Sequence, residues 1–291
     1  MAHFKTRSIF FLTSFSICLF SLISCSQSQQ DDVAQEEPLN EQISTQEITI
    51  IAHRGDSWYT PENTLAAVNS AWQKNADAVE VDVYLTADNR VVTLHDETTE
   101  RTGDKTLHVK ESTAEQLRQL DVGIWKDEEF AGEQVPFLED IVETIPAGDK
   151  KLFIEIKGTG EAIPHIKEIV DKSGKEDQIV IIAFNFETIT GSKSAMPNVP
   201  AYWLISAPND EEGNPQPIDT ENIATAKEHN LDGLNVNYRG ISQELVNELR
   251  KENMGIYVWT VNEIPDLEQM AELGVDGITT DRIDQAQEVL R

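Results

Sequence analysis

The sequence predicts an α/β fold of the (β/α)8, or TIM, barrel class with a small insertion after the second strand. Three observations carry this. Eight short runs rich in Val and Ile alternate with segments of helical period between Ile48 and Thr280. The span concerned, residues 47–291, is the ordinary size of such a barrel. Helix-start and helix-stop residues fall between the runs. Strand count alone also fits a doubly wound open sheet.

The predicted strands are, in order, Ile48–Ala52, Ala78–Leu85, Leu152–Ile156, Ile179–Phe184, Ala201–Ile205, Gly233–Val236, Ile256–Val261 and Gly277–Thr280. Helical periodicity marks Pro61–Lys74, Ile163–Lys172, Ser242–Glu252 and Ile264–Leu273. Thr60-Pro61-Glu62 puts Pro at a first helical position, and Gly255 and Gly274 stand where helices should end. The segment Asp96–Pro146 is long for a βα connection and carries the turn-like pieces Thr102-Gly103-Asp104 and Ala131-Gly132-Glu133. It reads as an insertion over the barrel mouth, fed by a short extra strand at Arg90–Leu94, and loops that long are usually functional. Ala207–Thr220, rich in Pro, Asp and Glu, follows the fifth strand and is expected to shape the leaving-group side.

Of the 291 residues, 23 are Lys or Arg and 52 are Asp or Glu, a formal charge of −29. That acidity excludes nucleic acid as a partner, because a phosphate polymer is held by surplus cations. It leaves a small anionic substrate open, since a few cations in one pocket reverse the local field.

The N-terminus has its own logic. Lys5 and Arg7 precede an apolar, Ser-rich run from Ile9 to Ile23, the pattern of a secretory signal peptide and short for a membrane span. Leu22-Ile23-Ser24-Cys25 resembles the bacterial lipobox. Residues 1–24 are therefore expected to be removed and Cys25 to carry the lipid. The protein would then be exported and anchored to a bacterial membrane, and Ser26 favours the outer membrane where one exists. The other cysteine, Cys18, leaves with the signal, so no thiol nucleophile or Cys-based metal site remains. Residues 26–46 hold five acids and no Lys or Arg, a composition too polar to offset its ordering entropy by burial. With Cys25 they form an expected tether, residues 25–46, of roughly 25 Å reach.

Polar residues inside the strands locate the chemistry. Residues two apart share a strand face, so Glu80 and Asp82 point one way, as do Glu155 and Lys157. Such groups are costly in an apolar run unless paired or bound to a cation. Three carboxylates offer hard oxygen ligands suited to Mg2+ or Ca2+; a buried salt-bridge cluster around Lys157 accounts for the same residues without a metal. His53 and His95 follow apolar strands, at the end where a barrel carries its active site, and two imidazoles there can act as acid and base. His108, His165 and His229 fall on the insertion and on helices, where solvated structural roles are the default. Arg54, beside His53, suits a phosphate oxygen.

These residues also carry a resemblance. His53-Arg54-Gly55 followed by Pro61-Glu62-Asn63-Thr64 resembles the signature of the glycerophosphodiester phosphodiesterases. Glu80-Val81-Asp82-Val83, His95-Asp96, Gly123-Ile124-Trp125, Pro136-Phe137-Leu138, Glu155-Ile156-Lys157, Val258-Trp259-Thr260-Val261-Asn262 and Gly274-Val275-Asp276-Gly277 continue it in order over residues 48–291. The resemblance implies hydrolysis of a small glycerophosphodiester to sn-glycerol 3-phosphate and an alcohol. It implies one divalent cation, Ca2+ or Mg2+, on Glu80, Asp82 and Glu155. His53 and His95 match the acid and base, here read as His53 the acid and His95 the base. Arg54 and Lys157 match phosphate contacts, Trp259 an aromatic pocket wall, and Glu62 a motif carboxylate near the site. One departure is Thr280-Asp281-Arg282-Ile283, where the family often ends on Pro. Two other readings stay open at this point: a phospholipase D-like or cyclising lyase acting on lysolipids or sphingolipids, and a non-catalytic ligand-binding lipoprotein.

Overall fold

In a computed structural model that describes residues 47–291, eight parallel strands close on themselves. The proposed signal peptide, Cys25 and tether lie outside the described residues. In chain order the elements are β1 (Thr49–Ala52), α1 (Leu65–Gln73), β2 (Ala78–Leu85), β3 (Val91–Thr93), α2 (Ala114–Arg118), α3 (Leu138–Thr144), β4 (Lys151–Ile156) and α4 (Ile163–Ser173). There follow β5 (Ile179–Ala183), α5 (Phe186–Ala195), β6 (Ala201–Ile205), α6 (Glu221–Glu228), β7 (Gly233–Asn237), α7 (Gln243–Lys251), β8 (Gly255–Trp259), α8 (Ile264–Leu273), β9 (Gly277–Thr280) and α9 (Ile283–Leu290). The pairing runs β1-β9-β8-β7-β6-β5-β4-β2 and closes where Ile51 and Ala52 pair with Ala78 and Val79. Closure decides for the (β/α)8 barrel over the open sheet. Among the described strands only β3 is antiparallel, lying on β2 with Val83 opposite Thr93.

The strand sequences explain their placement. In β2, Val79, Val81 and Val83 face the helices and join the main core, while Ala78, Glu80 and Asp82 alternate with them. In β4, Leu152, Ile154 and Ile156 face out, and Phe153 joins Ile51, Ala78, Val180, Ile182 and Leu204 inside the barrel. Apolar filler thus occupies the barrel interior, and carboxylates replace it toward the C-terminal strand ends. Burial on both faces is why these strands read as near-continuous apolar runs.

Several local expectations are revised. The helix anticipated at Pro61 begins at Leu65, capped by Thr64, whose Oγ1 accepts the Ala67 N–H at 3.2 Å. Residues 62 and 63 form a turn instead, because Asn63 takes a left-handed conformation (φ 59°) and turns its amide toward β2. Gly255 does not end a helix: α7 stops at Lys251, left-handed Asn253 follows, and Gly255 opens β8. There it makes room for Tyr202, whose ring would lie 2.8 Å from an added Cβ. Gly274 does cap α8, with φ 75°. The long connection contains α3, which packs on α1 and α4 as a barrel helix. The rest has its own small core, Val109, Leu117, Leu120, Val122 and Val135 over Val92 and Tyr84.

Candidate active site

β1 delivers the first group. The His53 N–H donates to the Thr280 carbonyl at 3.0 Å, so the ladder to β9 carries the chain to the mouth before it turns. Arg54 (φ 57°) and Gly55 (φ 81°) then turn left-handed. This aims the Arg54 N–H at Glu80 Oε2, 2.9 Å away, and sets its guanidinium between Glu62 (2.8 Å) and Asp82 (3.3 Å). The turn needs glycine at 55, where an added Cβ would come within 2.6–2.8 Å of the Ala67 backbone and Cβ in α1. Gly55→Ala is expected to cost about 2 kcal/mol or more, from φ strain plus overlap. That is a fall in melting temperature of roughly 4–8 °C, with lost activity, measurable by calorimetry.

β2 and β4 deliver the carboxylates. Their register sets Asp82 opposite Glu155, and one oxygen from each of Glu80, Asp82 and Glu155 lies within 4.8 Å of the others. All three are buried. Lys157 Nζ sits 2.9 Å from Asp82 Oδ1 and 2.6 Å from Glu155 Oε1, so a salt-bridge cluster around Lys157 does exist. It does not account for Glu80, whose Oε1 is buried without any partner. Burial, then the charges of Asp82 and Glu155, push the Glu80 carboxyl well above the usual range. Asp82 goes the other way: burial opposes ionisation, but Lys157, Arg54 and His95 together hold its carboxyl low. Three buried acids against two cations, with one orphaned oxygen among them, fit a hard divalent cation.

The two histidines are each held by a carboxylate. His53 Nδ1 lies 2.7 Å from Asp281 Oδ1, and Asp281 is itself fixed by Ser57 (3.0 Å) and Asn262 (2.7 Å). Burial opposes the Asp281 charge, but His53, Asn262 and Ser57 hold its carboxyl well below the usual range. His95 Nδ1 lies 2.6 Å from Asp96 Oδ1. Carboxylates at Nδ1 orient both rings and leave Nε2 for other work. Glu62 grips both Arg54 and Arg101, and Arg101 reaches Asp96 at 2.7 Å, so one chain of ion pairs links the two sides of the mouth.

Trp259 ends β8, donates Nε1–H to the Asn235 carbonyl at 3.1 Å and meets the Phe184 ring edge-on at 5.3 Å. With Ile182 and Leu204 these rings wall a cavity of about 160 Å³ that His53, Arg54, Glu80, His95, Glu155 and Lys157 also line. The fold thus brings seven of the eight expected residues to one cavity, and Asp82 lies beneath, ion-paired with Arg54 and Lys157. Asp281, Asp96, Asn63, Asn262 and Arg101 were not anticipated as supports. Asn63 is the most buried of their amides, donating to Asp82 Oδ2 at 2.8 Å and accepting the Asp82 N–H at 3.0 Å. Its only sequence signal was its place in the Pro61–Thr64 motif. A wider cavity of about 460 Å³ adjoins this one and shares His53 and Arg54 with it; residues 207–220 line neither, contrary to expectation.

Residues 53–285 match the glycerophosphoryl diester phosphodiesterase family model. A glycerophosphodiester phosphodiesterase of Caldanaerobacter subterraneus subsp. tengcongensis is 37% identical over 236 residues, which is 80% of this chain and 93% of that protein. Among solved structures, an Oleispira antarctica phosphodiesterase in complex with the product sn-glycerol-3-phosphate is similar at TM-score 0.76 and 25% identity, over 84% of this chain and 96% of that one. A glycerophosphodiester phosphodiesterase of Thermotoga maritima is similar at TM-score 0.67 and 26% identity, over 83% and 97%.

Proposed function

Because the chain belongs to the glycerophosphoryl diester phosphodiesterase family, and is thereby an enzyme, we propose that its barrel mouth hydrolyses small glycerophosphodiesters to sn-glycerol 3-phosphate and an alcohol, with a divalent cation and two histidines. The observation that carries this is the pair of carboxylate-held imidazoles beside three buried acids, one of which has an unpartnered oxygen. The product complex of the Oleispira antarctica relative supports the product assigned here. Family membership displaces the reading of a purely binding lipoprotein.

Glu80, Asp82 and Glu155 are the residues that would hold the cation, and their all-oxygen set suits Ca2+ or Mg2+. When bound, such an ion offsets the charge that grows on the phosphoryl oxygens. The residues do the rest. Arg54 and Lys157 hold non-bridging oxygens. His95 accepts a proton at Nε2 from the nucleophile as the new P–O bond forms: attack by water gives sn-glycerol 3-phosphate directly, whereas attack by the neighbouring glycerol hydroxyl gives a cyclic phosphate that a water then opens to the same product. His53 gives its Nε2 proton to the alcohol oxygen as the old P–O bond breaks. Asp281 and Asp96 keep the rings aimed during both transfers. Trp259 and Phe184 give the glycerol carbons an apolar wall.

Burial lowers the pKa of His95 below 6.5 despite Asp82, with Arg54 and Lys157 pushing the same way. A base must be unprotonated, so a lowered pKa keeps His95 competent in more acidic solution. The acidic limb of kcat/KM is therefore expected to have its midpoint below 6.5. A midpoint above about 7 would assign the base elsewhere. The function itself is tested by assaying the purified protein on a panel of glycerophosphodiesters with each metal added separately. Release of sn-glycerol 3-phosphate supports it, whereas choline release from lysolipid with a cyclic phosphate product replaces it with the lyase reading.

We also infer export and anchoring through lipidated Cys25, from the basic start, apolar run and lipobox-like end of residues 1–25. Among the described residues no helix is long and apolar enough to cross a membrane. Fatty-acid labelling of the expressed chain is expected to vanish in Cys25→Ala; labelling that persists would sink the assignment.

A further inference from the structure

A second cavity of about 460 Å³ opens beside the first, and His53 and Arg54 line both. Its outer wall is Trp58, Trp125 and Lys126. A phosphodiester has two substituents. If glycerol occupies the narrower, 160 Å³ cavity, the alcohol that leaves must point past His53 into the wide one. This rests on the function proposed above and concerns which alcohol is taken.

The charges of the wide cavity are unevenly committed. Glu62 has both oxygens on Arg54 and Arg101, and Asp281 has both on His53, Ser57 and Asn262. Lys126 has no carboxylate partner among the described residues; its ammonium donates to the Ser57 carbonyl at 2.7 Å and has two further protons to give. The half-exposed indoles would otherwise suit a quaternary ammonium. However, Arg282 already lies 4.5 Å over Trp58, and Lys126 lies 5.7 Å from the Trp125 ring. In a chain with more than twice as many acids as bases, the leaving-group side of this site keeps an uncommitted cation.

We propose that Lys126 is a specificity-determining residue, and that the wide cavity selects an alcohol bearing an anionic group, such as a second phosphodiester, over cationic choline. The substrate class is then a glycerophosphodiester whose alcohol carries further negative charge.

Three substrates that differ in the charge of the alcohol test this: bis(glycerophospho)glycerol (anionic), glycerophosphoglycerol (neutral) and glycerophosphocholine (cationic). Wild-type kcat/KM is expected to fall in that order. In Lys126→Met the anionic-to-cationic ratio should drop about tenfold, the scale of one charge-assisted hydrogen bond at a part-exposed site. Lys126→Arg should retain the ratio, and Lys126→Glu should invert it. A ratio within one protein preparation is insensitive to the folded fraction, so a destabilised variant still gives an answer. An unchanged ratio in Lys126→Met, or a wild-type preference for the choline ester, overturns the proposal while hydrolysis of glycerophosphoglycerol leaves the function standing. Failure to hydrolyse all three overturns the function and this inference with it.

Discussion

Replacing His53 by Ala is expected to lower kcat on glycerophosphodiesters by about 10²–10⁴-fold, and His95→Ala by a similar factor, the range that positioned proton transfer contributes. The two variants should differ in how the loss depends on the leaving group. His53 lines both cavities, whereas His95 lines only the narrower one, which sets His53 on the side of the departing alcohol. Without the acid, a leaving group that is already acidic, such as p-nitrophenolate, should recover much of the rate in His53→Ala but not in His95→Ala. Equal rescue of both would reverse or merge the roles. Near wild-type turnover by either variant on natural diesters would remove the histidine mechanism. Stability should change little, because both rings are partly exposed at the mouth.

Glu80→Gln is the second change of large effect, and here activity and stability should move in opposite directions. Glu80 is buried, its Oε1 has no partner, and its neighbours Asp82 and Glu155 add negative charge. A group whose carboxyl is pushed this far up must, without a cation, either stay charged in a buried site or take up a proton on folding, and both cost stability at neutral pH; an amide avoids that cost and still offers a donor toward those acids. The cation-free variant should therefore melt a few degrees above cation-free wild type, while added Ca2+ or Mg2+ should stabilise the wild type and leave the variant nearly unmoved. Activity should fall by about 10²-fold or more as a ligand is lost. A cation-induced shift of equal size in both proteins would mean that Glu80 is not a ligand.

Much of this site could be read from the chain because strand geometry is simple. Glu80, Asp82, Glu155 and Lys157 stand at alternate positions in apolar runs, so period two alone puts them on one face. His53 and His95 end such runs. The supports were harder, because they depend on where distant segments meet. Asp281 reaches His53 across 228 residues of chain, closing the β1–β9 seam of the barrel. The Glu62–Arg101–Asp96 chain depends on how the insertion folds back over the mouth. Thr60-Pro61-Glu62 misled for a related reason. Local preference favours a helix start there, but Asn63 is drawn into a left-handed turn by its two hydrogen bonds to Asp82, and tertiary demand wins over propensity. In the long connection, α3 has only seven residues, too short for its period to stand out from the insertion around it.

The account turns on a cation-assisted diester hydrolysis at the barrel mouth, and one measurement bears on it most directly. Phosphorus NMR of glycerophosphoglycerol incubated with exhaustively chelated enzyme, before and after Ca2+ or Mg2+ is restored, follows substrate and product together. The account predicts no turnover in the chelated sample and conversion to sn-glycerol 3-phosphate once a cation is returned. Full hydrolysis in the chelated sample, or no hydrolysis with either ion, would contradict it.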